Sequence, residues 1–485
     1  MPSQPDQPRV AIIGAGLGGI AVAALLRQAG FTNLLLLEKG DRAGGVWRDN
    51  RYPGCACDIP APLYSYSFAL NPDWSRRFPP HAEILDYLDR CAVRLDVAGA
   101  IRLNTEVTEA RWDGPAGAWS IRTTDGATIV ADVLVPAVGQ LSRPVVPQFP
   151  GAARFQGTAL HTARWEPDTP LDGARVAVIG TGASAIQLVP AIVDRAARVT
   201  VFQRSAPWTL PKPDRRYGRL RRGLYRRFPA LMRLPRAGVW AMTWFTGKAV
   251  TGNRFAQATI AAISRLQLRW QVRDPGLRAR LTPEDPVGCK RVLFTSDWLP
   301  TLARPDVEVV AEKIVEVTEG GVRTADGVEH PCDVLVYGTG FAATEFLVPI
   351  RVVGRDGRRL DEVWRDGAHA HLGMAVSEFP NLFLVYGPNT NTGNTSVIYF
   401  HECQARYIVQ AVRRIAAGHG PLEVRPDVAA GYDAELRRRL GGSVWTGCES
   451  WYRDPAGRVV TNWPGMAGEY RRRTAKLNPA DYAED

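Results

Sequence analysis

The first fifty residues constrain the fold more than any other stretch. An apolar run, Val10 to Ile13, reads as a buried strand. Gly14, Gly16 and Gly19 follow as G-x-G-x-x-G and open a helix. Gly14 suits a tight turn, Gly16 lets the backbone approach a pyrophosphate, and Gly19 lets helix and strand pack closely. The helix N-terminus then faces the negative charge. A second strand, Leu34 to Leu37, ends on Glu38, a carboxylate placed to hydrogen-bond a ribose diol. Together these elements predict a dinucleotide site at the start of the chain.

The pattern returns. Arg175 to Ile179 reads as a strand, and Gly180-Thr181-Gly182-Ala183-Ser184-Ala185 gives G-x-G-x-x-A. The next strand, Arg198 to Phe202, leads to Arg204 and Ser205 where the first unit has an acid. A cation here accommodates the 2′-phosphate of NADP. The first site is therefore expected to take FAD and the second NADPH. Residues 101–135 and 307–330 read as small meanders, the first with turns at Asp113-Gly114 and Asp125-Gly126. Each leads to a D-V-L-V strand, from Asp132 and from Asp333, so the chain carries a loose internal duplication. Residues 60–100 read as loop and helix, with Ile84, Leu85, Leu88 and Val93 at helical spacing. The expected class is α/β: two Rossmann-like dinucleotide-binding domains (FAD and NADP) with a helical insert in the second. The expected division is 1–145 for the FAD domain's first part, 146–335 for the NADP domain with an insert at about 206–285, and 336–485 for the FAD domain's second part. Gly288 to Phe294 is expected to return to sheet, and a helix is expected from about Tyr399 to Ala416.

Charge narrows the partners. From Arg215 to Arg280 there are 16 basic residues and one acid, a net +15 against +11 for the whole chain, so the remainder is net acidic. Nucleic-acid binding by the whole protein is excluded on that distribution. The basic insert suits a cap over a substrate pocket, a solvated face, or weak contact with an anionic membrane surface or acidic carrier. No apolar run reaches the ~18 residues of a membrane span, and Ala237 to Phe245 is too short. No leader is expected either, because the first eight residues are polar and proline-rich. Seven cysteines at irregular spacing suggest a reduced, cytoplasmic chain, with Cys55 and Cys57 as packing residues. His369 and His371 have no third ligand in view, so no metal is expected.

Three stretches resemble the class B flavin monooxygenases and, within them, the Baeyer–Villiger monooxygenases. Phe155, Gly157, His161 and Trp165 match F-x-G-x-x-x-H-x-x-x-W. Gly44-Gly45-Val46-Trp47, Tyr52-Pro53-Gly54 and Asp58 match a second pattern, and Lys290-Arg291 stands where that family has a lysine and its catalytic arginine. Departures are Glu166 after the tryptophan, and Ala137-Val138-Gly139 and Gly338-Thr339-Gly340 where A-T-G is usual.

The resemblance implies oxygen insertion beside a ketone carbonyl through a flavin C4a-peroxide, with O2 and NADPH consumed. Arg291 would be the catalytic cation and Asp58 would position it. Gly45, Val46, Trp47, Tyr64 and Gln140 would lie along the flavin, and Val107 at its adenine end. Thr181 to Gln187 would hold the NADP pyrophosphate, and Arg204, Ser205 and Lys290 the 2′-phosphate. His161 would couple NADP binding to domain motion. An N- or S-oxygenating enzyme of the same fold, and a pyridine-nucleotide sensor without turnover, stand as alternatives.

Overall fold

The computed structural model describes residues 7–393 and 395–484. Strand β1 (Val10–Ile13) is wholly buried, and α1 (Leu17–Gln28) follows it directly. Next come β2 (Leu34–Leu37), the single turn α2 (Val46–Asp49), α3 (His81–Arg94) and β3 (Ile101–Arg102). The antiparallel strands β4 (Val107–Asp113), β5 (Ala118–Thr123) and β6 (Thr128–Ala131) form the meander that the two Asp-Gly turns announce. Then β7 (Val133–Pro136) returns beside β1, with Val10 opposite both Leu34 and Val133. The resulting parallel sheet runs β3-β2-β1-β7. Its strands β2, β1 and β7 are continuous apolar runs because both faces are covered, while the edge strand β3 carries the exposed Arg102.

The second unit repeats this plan with one more strand. It contains β8 (Thr158–His161), β9 (Arg175–Ile179), α4 (Ala185–Ile192), β10 (Arg198–Phe202) and the short β11 (Thr209–Leu210). Four insert helices follow: α5 (Arg219–Arg227), α6 (Arg233–Val250), α7 (Arg254–Gln271) and the short α8 (Pro275–Arg280). After them, β12 (Leu293–Phe294) pairs with β11, and β13 (Val307–Val310) joins the main sheet. Strands β14 (Ile314–Val317), β15 (Gly321–Thr324) and β16 (Glu329–Pro331) make the second meander, and β17 (Val334–Tyr337) closes the parallel sheet β13-β10-β9-β17-β8.

The duplication extends to side chains. The Arg9 backbone N–H, Nε and Nη2 donate to Asp132 at 2.7, 3.1 and 2.6 Å. Arg175 makes the same three bonds to Asp333 at 2.8, 3.0 and 2.6 Å. In each unit the residue before or at the start of the first strand is thus clamped to the acid that precedes the returning one.

The last third of the chain packs back on the first unit. Strand β18 (Arg351–Val353) pairs parallel to β4. The helix Val397–Ala416 buries Phe400, Tyr407, Ile408 and Val412 in the core that also holds Val10, Val22 and Val133.

Four expectations need correction. Val307–Val310 is a strand of the parallel sheet, so the second meander is only 314–331. Within 288–294, strand structure is confined to Leu293–Phe294, because Cys289 turns back to donate its N–H to the Pro286 carbonyl. On α3 the inward face runs through Ile84, Tyr87, Leu88 and Cys91, while Val93 is exposed. Finally, Cys289 and Cys448 form a disulfide across 159 residues, against the reading of a fully reduced chain. Spacing carries no signal for a pair so far apart in sequence. Cys55, Cys57, Cys91, Cys332 and Cys403 are free and buried.

Burial also sets a pH dependence. His401, on the helix behind Tyr386, is pushed down to about 3 by desolvation. An unfolded chain binds a proton there near pH 6.5, so the unfolded state holds more protons between the two values. Stability is therefore complete above the upper value and falls with pH, by about 1.4 kcal/mol per unit across the window. Thermal melts between neutral and mildly acidic pH should show this slope. It should flatten in His401→Phe, with His161 and His371, which burial also pushes down, keeping a residue of it.

Candidate active site

The two glycine turns define two cradles. Gly14 adopts φ +104° and a Cβ there would stand 2.8 Å from the Ala137 carbonyl oxygen, so the turn is closed to side chains. Gly16 faces Gly45 across the opening of the first cradle. At the end of β2, Glu38 is buried and accepts from the N–H groups of Ala15 and Gly40, each at 2.9 Å. Arg48 Nη1 donates to the same carboxylate at 2.7 Å. Sequence reasoning passed over Arg48, although it follows Gly45-Val46-Trp47 directly. The Trp47 indole N–H donates to the Tyr64 hydroxyl at 3.0 Å, with the rings edge to face. Val107 lies buried at the start of β4, opposite Thr123. Gln140 is buried and donates to the carbonyls of Tyr386 and Gly387, leaving its Oε1 with no partner. A glycine-lined turn at a helix N-terminus, a buried acid after the second strand and an orphaned buried acceptor are the groups a flavin dinucleotide needs.

In the second cradle a Cβ on Gly182 would meet open space, and Thr181, Gly182 and Ala183 stand at the mouth before Ser184 and Ala185 start α4. Thr181 Oγ1 donates to the Ser205 carbonyl at 3.0 Å. Arg204 is exposed beside Ser205, and Lys290 Nζ donates to Ser205 Oγ at 2.8 Å. Lys290 thus reaches the hydroxyl of Ser205, whose neighbour in the chain is the exposed Arg204, a set of groups that suits a 2′-phosphate. Asp285 also reaches Lys290, at 2.7 Å, a partner the sequence did not suggest. Gln187 departs from expectation: its Oε1 accepts from the Tyr52 hydroxyl and the Ala56 N–H, and its Nε2 donates to the Ala56 carbonyl. Its amide ties α4 to residues 52–56 and is not free for a pyrophosphate. His161 also makes structural bonds: Nδ1 accepts from the Ala163 N–H, so the proton sits on Nε2, which donates to the Gly340 carbonyl at 3.1 Å.

Between the cradles stands Arg291. Its Nε and Nη2 donate to the two oxygens of Asp58, both at 2.9 Å. Asp58 raises the guanidinium's pKa further, so the cation is permanent. The pair joins loops 233 residues apart, from the first unit and from the end of the insert. Two tyrosines supplied by the last third of the chain, Tyr386 and Tyr452, stand within the electrostatic reach of the cation. Burial pushes the Tyr452 phenol up to about 12, against the pull of Arg291. Tyr386 donates to Asn391 Oδ1 at 2.6 Å, and Asn391 Nδ2 donates to Asn462 Oδ1 at 2.6 Å. Nothing in the sequence marks these residues as neighbours of Arg291. Apart from Thr246, the rest of the cavity at Arg291 is apolar, with Ile59, Leu210, Val250, Ile260, Val292 and Phe294 in its walls. A fixed, forked cation at the edge of a largely apolar pocket is suited to an oxygen that gains negative charge.

Residues 11–234 match a family model described as pyridine nucleotide-disulphide oxidoreductase. A protein of Streptomyces coelicolor named Baeyer-Villiger monooxygenase is 42% identical over 481 residues, covering 98% of this chain and 92% of that protein. Among solved structures, an oxidized steroid monooxygenase bound to NADP superposes with a TM-score of 0.85 at 30% identity, over 99% of both chains. OTEMO in complex with FAD and NADP superposes with a TM-score of 0.87 at 26% identity, over 99% of this chain and 100% of its own.

Proposed function

We infer that this chain, which belongs to the Baeyer–Villiger monooxygenase family, inserts one oxygen atom of O2 beside a ketone carbonyl to give an ester or lactone, with FAD and NADPH as cofactors. FAD, when bound and reduced by NADPH, supplies the oxygen-transferring chemistry. The rest falls to the chain's own residues. The observation that carries this reading is the Arg291–Asp58 pair at the wall of an apolar cavity. We assign Arg291 to the oxyanion that develops when the ketone carbonyl is attacked, and Asp58 to holding its fork. The apolar walls keep water from that charge.

The glycine turn with Glu38, Arg48, Trp47, Tyr64 and Gln140 is assigned to FAD, and Thr181 to Ala185 with Arg204, Ser205 and Lys290 to NADPH. The division at about 145 and 335 is proposed on the same basis, since the sheet of each unit carries one cradle. Of the partners, a small-molecule substrate and O2 belong to the reaction; the basic insert is the part suited to an anionic surface.

Disulfide reduction finds no support in the first unit. Cys55 and Cys57 are buried and unpaired, and burial pushes the Cys55 thiol up to about 12. A thiol in that state is a poor nucleophile.

The test is turnover with NADPH and isotope-labelled dioxygen on a panel of cyclic ketones and sulfides. A lactone carrying one labelled oxygen supports the reading. Sulfoxide without lactone favours the heteroatom-oxygenating alternative, and NADPH consumption yielding only hydrogen peroxide overturns oxygenation. For the coenzyme, Arg204→Ala should lower kcat/KM with NADPH by about 100-fold while leaving NADH nearly unchanged, because only NADPH carries the 2′-phosphate. Equal losses with both coenzymes would remove Arg204 from that role.

A further inference from the structure

We propose that the insert docks on anionic lipid bilayers through α5, α6 and α7. Between Arg215 and Arg273 the chain has 14 lysines and arginines and no acidic residue. The same stretch holds nine of the 18 large apolar side chains that are exposed among the described residues. Basic charge and exposed apolar surface therefore coincide in one part of the molecule.

The apolar residues are ordered by helical period. On α5, which buries no residue at all, Leu220 and Leu224 lie one turn apart, and Phe228 follows the helix end. On α6, Leu234, Ala237, Ala241 and Trp244 recur at three- and four-residue steps on the exposed side. On α7, Ile263, Leu266 and Trp270 do the same, with Phe255 about two turns before Ile263. These side chains are far out of the core: Leu220 is 88% exposed, Trp270 80% and Phe255 75%. The opposite sides of α6 and α7 are occupied, since Val250 and Ile260 line the cavity beside Arg291. Each of these helices thus has an inner apolar face that is used and an outer one that is not.

The cations are available. Arg219, Arg222, Arg233, Arg254, Arg269 and Arg273 have no carboxylate at ion-pair distance among the described residues. A second copy of this chain is a poor occupant, because a self-complementary contact would bring two acid-free, strongly basic faces together. An anionic bilayer satisfies both halves of the surface: its headgroups attract the arginines, while leucine, phenylalanine and tryptophan sink into the interface. No described helix is long and apolar enough to cross a membrane, so the contact lies at the surface.

The experiment is flotation of the FAD-loaded protein with vesicles of phosphatidylcholine alone or mixed with phosphatidylglycerol. Binding is expected to the mixed vesicles only, and to weaken as salt rises from about 0.05 to 0.5 M. The double variant Leu220→Ser, Leu224→Ser should lose about tenfold in vesicle affinity, and Trp270→Ser a similar factor. Turnover of a water-soluble ketone should be unchanged in both, which shows that the fold and the active site persist. Absence of binding to the mixed vesicles, or unaltered binding by both variants, overturns the proposal. So does a wild-type oligomer that these variants dissociate in sedimentation experiments, because the face would then belong to a contact between copies.

Discussion

Arg291→Ala is expected to lower ester formation by about a thousandfold while NADPH still reduces the bound flavin. The geometry separates the two activities. The guanidinium is held by Asp58 in a bidentate pair at the wall of the cavity, whereas the cations proposed for the coenzyme are Arg204 and Lys290, the latter bonded to Ser205. Truncation removes the charge assigned to the developing oxyanion and leaves Asp58 without its partner. The pair keeps some solvent contact, with the two side chains 28% and 22% exposed. The orphaned carboxylate can therefore be hydrated, and the cost in stability should stay below the ~3–5 kcal/mol of a fully buried broken pair. Flavin absorbance and the melting temperature report whether the fold survives.

Arg291→Lys separates charge from shape. It keeps the cation and loses the fork, so it should fall between wild type and Ala. Asp58→Asn should lose less than Arg291→Ala, because the cation remains and only its alignment is relaxed. The measurement is ester yield against NADPH consumed: wild type couples the two, and Arg291→Ala should turn the consumed NADPH into hydrogen peroxide. Ester formation by Arg291→Ala at about a tenth of the wild-type rate or more would show that the oxyanion is held elsewhere.

How far the sequence discloses this site depends on how each residue is brought there. Both cradles are local objects: strand, turn and helix are consecutive, and glycine spacing reports backbone geometry directly. The D-V-L-V strands are legible for a similar reason, since a parallel strand buried on both faces is a short unbroken apolar run. Asp132 and Asp333 stand out as paired positions through that duplication, but nothing in the sequence ties them to Arg9 and Arg175, which the structure clamps to them.

Long-range partners leave no such trace. Tyr386 and Tyr452 approach Arg291 only because the last third of the chain packs back on the first unit. Cys448 meets Cys289 by the same route. Gln187 lay within a readable motif, yet its side chain is taken by Tyr52 and Ala56, a contact between units that helical spacing does not report. The insert declared its charge in the sequence, but which leucines and tryptophans face outward required the packing of α6 and α7 against the cavity.

Gly19→Ala is expected to yield protein with little or no flavin, below about a tenth of the wild-type content. A Cβ at Gly19 would lie 1.9 Å from the Gly14 carbonyl oxygen and 3.4 Å from the Ile12 side chain. The first contact is with backbone, so no rotamer relieves it. α1 must move off β1, and with it the N-terminal amides that face the pyrophosphate. The core beneath has little slack, since Ile20, Ala23 and Ala24 on α1 are fully buried. The second motif supplies the control within the same chain. Its third position is already Ala185, a fully buried residue of the core of that unit. One methyl group is thus accommodated in the cradle proposed for NADPH and excluded from the one proposed for FAD. Ala185→Gly should consequently keep flavin content and cost only the loss of a buried methyl group and added helix flexibility, about 1–2 kcal/mol. Flavin content from the visible absorbance, read beside a melting curve for each variant, checks both halves. A yellow, stable Gly19→Ala protein would mean that the turn at Gly14 yields to the methyl group, and the rigid cradle inferred for FAD would be wrong.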